Sequence, residues 1–321
     1  MDRNLPKYLE LYEQGILKKR IDAAFELLKK CSLCPHRCQV DRTNNQKGIC
    51  RVAMTPIVYS YLPHHGEEPA ISGKRGSGTI FFSFCNLKCI YCQNYHFSQL
   101  GEGREVSFEE LATMMIELQK QQCHNINLVT PTHIMPQILK SLSIAIEKGL
   151  QLPIVYNTSG YELPQVIKLL EDIIAIYLVD MRYSNNEFSV KFSSAKDYPL
   201  YNQQSLKEMF RQIPKAEFDK DGIMKQGIIV RHLVLPNNIS GTEEIAKFIS
   251  TELSKEVYIS LMSQYHPYYK AKDYPELSRR ITKEEYQQAI DCLKKYGLNN
   301  GWIQSAGGLE RMAGVNIKRN I

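Results

Sequence analysis

Three cysteines fall within eight residues in Cys85-Asn-Leu-Lys-Cys89-Ile-Tyr-Cys92. Thiolates at such spacing hold zinc or an iron–sulfur cluster, and a structural zinc or an electron-transfer cubane takes four protein ligands. No fourth cysteine follows nearby. Three thiolates closing on a four-iron cluster leave one iron open to a small chelating molecule. A second group, Cys31-Ser-Leu-Cys34-Pro-His-Arg-Cys38 with Cys50 farther on, supplies four thiols, a complete ligand set. Its spacing allows zinc or a second, fully ligated iron–sulfur cluster, and His36 could replace one thiol. Cys123 and Cys292 lie in or beside helical patterns and read as small buried hydrophobes.

The triad Cys85, Cys89 and Cys92 directly follows an apolar, β-rich run, Thr79–Phe84. Five more such runs follow, at Ile126–Thr130, Ile154–Thr158, Ile173–Asp180, Gly227–Leu235 and Val257–Met262, alternating with segments of helical spacing. Capping boxes at Ser107/Glu110, Ser240/Glu243 and Thr282/Glu285 mark three helix starts. Six strands alternating with helices predict an α/β fold with a parallel sheet. Six units are too few for an eight-stranded barrel, which leaves an open partial barrel or a doubly wound sheet. Either places ligands beyond the C-terminal strand ends. Residues 1–78 are expected to form a separate extension: one helix from about Leu9 to Leu28, then a cysteine-rich, strand-poor stretch with a turn at Pro63–Gly66. Residues 79–321 form the sheet domain.

With 321 residues, 43% apolar, the chain can bury a full core, which excludes a disordered or fibrous protein. The net charge of +6 is spread along the chain rather than gathered in a basic arm, so nucleic acid is not indicated. The longest apolar run, Ile173 to Val179, is far short of the roughly 20 residues of a membrane span. The charged N-terminus reads as uncleaved, and nine cysteines in so long a chain suit metal ligation better than disulfides. A soluble, cytoplasmic protein is expected.

The Cys-x3-Cys-x2-Cys spacing, with Tyr91 as the aromatic before the last cysteine, resembles the radical S-adenosylmethionine (radical SAM) superfamily. The wider string from Gly78 to Asn94 is similar to the branch related to pyruvate formate-lyase activating enzyme. Cys31–Cys38 and Arg231–Pro236 resemble uncharacterised homologues of that activase. The resemblance implies a partial (β/α)6 TIM-like barrel with a 4Fe-4S cluster on Cys85, Cys89 and Cys92. SAM would chelate the open iron and be cleaved to methionine and a 5′-deoxyadenosyl radical that abstracts hydrogen from a substrate. It also implies a flavodoxin or ferredoxin type reductant and a protein or peptide substrate, such as a glycine of a partner enzyme.

Several strand ends then acquire roles. After the second predicted strand, Thr130-Pro-Thr132-His133 stands where the activases carry Gly-Gly-Glu, so Thr130, Thr132 and His133 become the available contacts to the SAM amino group. Asn157 and Ser159 fall in the segment matching Asp-Thr-Asn-Gly. Asp180 would accept from the SAM ribose and Arg182 would face its carboxylate, as an acceptor-only group and a guanidinium suit. Arg231, in an apolar run, must meet a carboxylate of SAM or protein, whereas its neighbour His232 reads as structural. His266 falls where the activases place a histidine close to SAM. The competing reading is a zinc-ribbon binding module, Cys31–Cys50, on a non-radical α/β domain.

Overall fold

A computed structural model describes residues 5–304. Its strands are β1 (Ile57–His64), β2 (Ser77–Phe82), β3 (Arg104–Glu105), β4 (Ile126–Val129), β5 (Ile154–Thr158), β6 (Ile176–Asp180), β7 (Glu217–Phe218), β8 (Met224–Leu233), β9 (Tyr258–Met262) and β10 (Gly301–Ile303). They form one sheet in the order β10-β9-β8-β6-β5-β4-β2-β1-β3, with β7 pairing β8 off this path. From β2 to β10 the neighbours are parallel and in chain order. A doubly wound sheet reverses direction at a switch point. This one does not, and right-handed crossovers then put the helices on one face and curl the sheet toward a barrel. The terminal strands β10 and β3 do not meet, so the sheet stays open.

The two faces are filled differently. Outward, Ile80, Phe82, Leu128, Tyr156, Val179, Val230 and Leu261 pack under helix residues such as Leu111, Met115, Ile138 and Leu142. Inward, Val155, Ile176, Leu178 and Ile229 close over Ala70 and Ile71, from the short helix Pro69–Ser72, which plugs the bottom of the half-barrel. The central strands β2, β4, β5 and β6 are buried throughout, as apolar runs covered on both faces should be.

The six predicted strands correspond to β2, β4, β5, β6, β8 and β9. Residues 1–78 are not strand-poor: β1 pairs antiparallel with β2 and carries Pro63 and His64 inside the strand rather than in a turn. A seventh parallel strand, β10, adds to β9. The N-terminal helix is two helices, Tyr8–Glu13 and Ile16–Lys29, broken where Gly15 takes φ +69°. Capping boxes form at Ser107 and Thr282. Ser240 caps nothing: its hydroxyl accepts from the Leu235 N–H, and the helix Thr242–Phe248 starts from Gly241.

Candidate functional site

Strand register builds the site. Phe81 pairs with Val129, Val129 with Asn157, Asp180 with Arg231 and Arg231 with Ser260, so inward residues meet in one row at the C-terminal ends. Above the apolar plug this row floors a cavity of about 470 Å³. Tyr91 and Cys92 stand on its wall, with Gln264, His266 and Trp302 around it.

The cysteine loop leaves β2 through Phe84, held at φ +64°, which turns the chain across the strand ends. Cys85 and Cys89 are buried. The Leu87 N–H donates to Cys85 Sγ at 3.3 Å, the Ser193 hydroxyl donates to Cys89 Sγ at 3.0 Å, and Ser98 Oγ lies 3.1 Å from Cys92 Sγ. Each sulfur thus has at least one polar neighbour, Cys85 Sγ also lying 3.7 Å from Asn86 Oδ1. Burial, then the neighbouring Cys89, pushes the Cys85 thiol up to about 12 and Cys92 up to about 11. Three thiolates so confined need positive charge among them, which an iron–sulfur core provides. Three thiols lining one loop suit a cluster that leaves one iron open better than a structural zinc, which takes four protein ligands.

Beside it lies a charged constellation. Asp180 accepts from Arg182 at 2.5 Å on one oxygen and from Arg231 Nε at 2.8 Å on the other. Arg231 also donates to Asn157 Oδ1 at 2.6 Å and reaches Glu67 at 3.6 Å. The expected carboxylate partner of Arg231 is therefore the protein's own. Arg182 Nε and His266 Nδ1 are buried without a partner while their side chains line the cavity. These spare donor positions fit an anionic ligand group, and the residue set fits SAM. On the opposite side, burial opposes charge on Glu67, yet His64 and Arg231 hold its carboxyl below the usual range. Burial pushes the adjacent Glu68 up, and its Oε2 has no partner.

Tyr91, Asn157, Asp180, Arg182, Arg231 and His266 are thus brought together with Cys92. Thr130, Thr132, His133 and Ser159 lie outside this cavity. Thr130 sits at φ +62° in the turn after β4. Thr132 donates to the buried Glu162 at 2.5 Å. His133, whose pKa burial and Arg42 push down to about 3, stands 2.9 Å from the Ser83 carbonyl and faces the N-terminal cysteines. Ser159 is buried, its hydroxyl unpartnered. His232 points to the outer face, bonded to the Met181 carbonyl and Thr242. Sequence reasoning places His64 in a turn, misses Trp302 and the buried Glu162, and finds in Glu67 and Glu68 only a weak hint of substrate contact. Two adjacent acids ahead of a helix-starting Pro69 were the available signal; nothing local marks Trp302 or Glu162.

The four N-terminal cysteines, thirty-five residues or more from the triad in sequence, line a small void of about 10 Å³ with His36, Arg42, Gly48 and His133.

A family model for the radical SAM superfamily matches residues 79–249. The chain belongs to the radical SAM superfamily. It is 33% identical over 301 residues to the uncharacterised protein MJ0674 of Methanocaldococcus jannaschii, covering 91% of this chain and 82% of the relative. A second uncharacterised protein of that organism, MJ0808, is 25% identical over 289 residues, or 80% and 78% of the two chains. Among solved structures, methylornithine synthase aligns with TM-score 0.46 and 13% identity over 74% of each chain. Streptococcus suis SuiB bound to S-adenosylmethionine aligns with TM-score 0.44 and 10% identity over 70% of this chain and 49% of that one. Radical SAM proteins use a 4Fe-4S cluster and SAM. In this radical SAM chain the matched segment contains the Cys85–Cys92 triad and the strand ends β2 to β8 that floor the cavity.

Proposed function

We propose that Cys85, Cys89 and Cys92 hold a 4Fe-4S cluster at the wall of the barrel cavity. SAM would lie across the floor formed by Asn157, Asp180, Arg182 and Arg231, and a substrate would enter from the side of Glu67, Glu68 and Trp302. The observation that carries this reading is the row of polar side chains joined through Asp180 directly beside Tyr91 and Cys92. When bound, the cluster supplies the electron that cleaves SAM to methionine and a 5′-deoxyadenosyl radical. The protein's own part is to bind, orient and exclude water. Arg182, with a spare Nε, meets the SAM carboxylate. Asp180 is held in place by two guanidinium groups and offers its remaining lone pairs to the ribose. His266 and the aromatic wall of Tyr91, Tyr265 and Tyr268 keep the radical away from water.

The substrate in this reading is a glycine backbone, as in glycyl-radical activases, and a cytoplasmic flavodoxin or ferredoxin type protein delivers the electron. The string from Gly78 to Asn94 and the open cavity mouth support it; the absence of an acid at Thr130–His133 separates this chain from the activase pattern. Zinc-ribbon recognition on a non-radical domain is displaced by membership of the superfamily. Incubation of reconstituted protein with SAM, reductant and a peptide carrying α-deuterated glycine tests the substrate. Deuterium in 5′-deoxyadenosine supports glycine as the donor. Unlabelled 5′-deoxyadenosine rejects it and leaves SAM cleavage standing.

A further inference from the structure

We infer that Cys31, Cys34, Cys38 and Cys50 ligate a second iron–sulfur cluster, closed to SAM and set directly behind the first. The inference does not depend on the identity of the substrate. The four thiols converge on one void, which is small enough to exclude bulk water. The loop that brings them there is locked in a shape with no value of its own. The Cys31 N–H donates to the Val40 carbonyl at 2.9 Å, and the Gln39 N–H donates back to Cys31 at 3.1 Å. Arg37, Gln39 and Arg51 all take positive φ, at 42°, 58° and 61°, a left-handed conformation that bulky residues rarely adopt. Gly48 lies so close that a Cβ there would stand 2.7 Å from Cys38 Sγ. The Ile49 N–H points at that sulfur, 3.4 Å away, as backbone amides do toward ligand thiolates.

Charge supplies an independent argument. Arg42 is fully buried against this void, and its guanidinium bonds only carbonyl oxygens: Ala53 at 2.8 and 3.1 Å and His133 at 2.7 Å. Among the described residues it has no carboxylate partner. A buried cation without a counterion is costly. Four thiolates around a cluster core carry net negative charge and balance it, which unligated neutral thiols do not.

Zinc is the competing occupant of four thiols, but zinc has no redox chemistry, whereas a second iron–sulfur cluster beside the triad has electrons to relay. The two sets also adjoin. His36 Nε2 lies 2.7 Å from the carbonyl of Asn86, the residue after Cys85. Lys88 donates to the Cys85 carbonyl at 3.1 Å and faces Cys50 as well as Cys85 and Cys89. With four protein ligands no iron is left open, so this cluster can take one electron from an external iron–sulfur or flavin reductant and pass it to the triad cluster. It cannot bind SAM.

The test is metal stoichiometry and Mössbauer spectroscopy after anaerobic reconstitution of the full chain, the Cys85→Ala/Cys89→Ala/Cys92→Ala variant and the Cys31→Ala/Cys34→Ala/Cys38→Ala/Cys50→Ala variant. The expected result is about eight irons in the full chain and about four in the triad variant, with a cubane spectrum. That remaining cluster should show no spectral change on adding SAM. About four irons with one zinc in the full chain overturns the inference. So does a triad variant that retains zinc or no metal. Should the four-cysteine variant fail to fold, the count on the full chain and triad variant still decides.

Discussion

At the scale of single residues, the site is a competition for Asp180. Both of its oxygens are engaged by arginines, so each guanidinium's loss has a different consequence. Arg182→Gln leaves Asp180 paired with Arg231 and should preserve the fold, while removing a charge-assisted contact worth about 1.5–3 kcal/mol, or tenfold or more in SAM affinity. Isothermal titration of SAM into reconstituted protein measures it. Unchanged affinity would place the SAM carboxylate elsewhere. Glu162 has a different signature. Burial pushes its carboxyl up from the ordinary 4.5 to about 7, while Thr132 and Thr158 donate to one oxygen and the other stays unpartnered. A carboxyl raised in the folded state stabilises fully below the unfolded value and loses that contribution as pH climbs through the folded one. The wild type should therefore lose roughly 3 kcal/mol relative to Glu162→Gln between about pH 4.5 and 7. Urea midpoints across that range check it, and parallel curves would contradict it. Of the residues read from the sequence, Asn157, Asp180, Arg182 and Arg231 were visible because each polar group interrupts or ends an apolar strand. Thr132 and His133 looked equivalent, yet they fall past the turn at Thr130, whose positive φ carries them behind the sheet end. No local pattern announces such a turn.

At the scale of elements, helix starts and tight approaches hold the half-barrel's register. The two complete capping boxes, at Ser107 and Thr282, each satisfy a backbone amide at the head of a surface helix. Ser107→Ala and Thr282→Ala should each cost about 1 kcal/mol, read from urea denaturation of the apoprotein, whereas Ser240→Ala should not act through helix capping. No measurable loss at Ser107 or at Thr282 would contradict this assignment. Gly160 is more demanding: at φ +75° a Cβ would sit 2.5 Å from the Asp180 carbonyl and 2.0 Å from Asn202 Nδ2. Gly160→Ala should destabilise by at least about 2 kcal/mol and disturb the Asp180 end of β6, lowering SAM affinity as well as the unfolding midpoint. The parallel strands were readable because burial on both faces leaves continuous apolar runs. The strand β1 was hidden because its inner face is half-buried and ends in Pro63-His64, residues that favour turns in isolation. Three-residue β10 carries too few positions for any periodicity, and pairing with β9 alone makes it a strand.

At the scale of the whole molecule, two cysteine sets drawn from distant parts of the chain meet across Asn86 and Lys88, and one charged cavity opens on the far side of the triad. The N-terminal segment is consequently part of the working structure, since β1 extends the sheet and its following loop contributes Glu67 and Glu68 to the cavity. The most direct test of the central claim is anaerobic reconstitution followed by incubation with SAM and dithionite, quantifying 5′-deoxyadenosine and methionine for the intact chain and for Cys89→Ala. Stoichiometric appearance of both products with the intact chain, and neither with the variant, is the predicted result. A cluster that forms on Cys85, Cys89 and Cys92 yet releases no 5′-deoxyadenosine, or a variant as active as the intact chain, would contradict it.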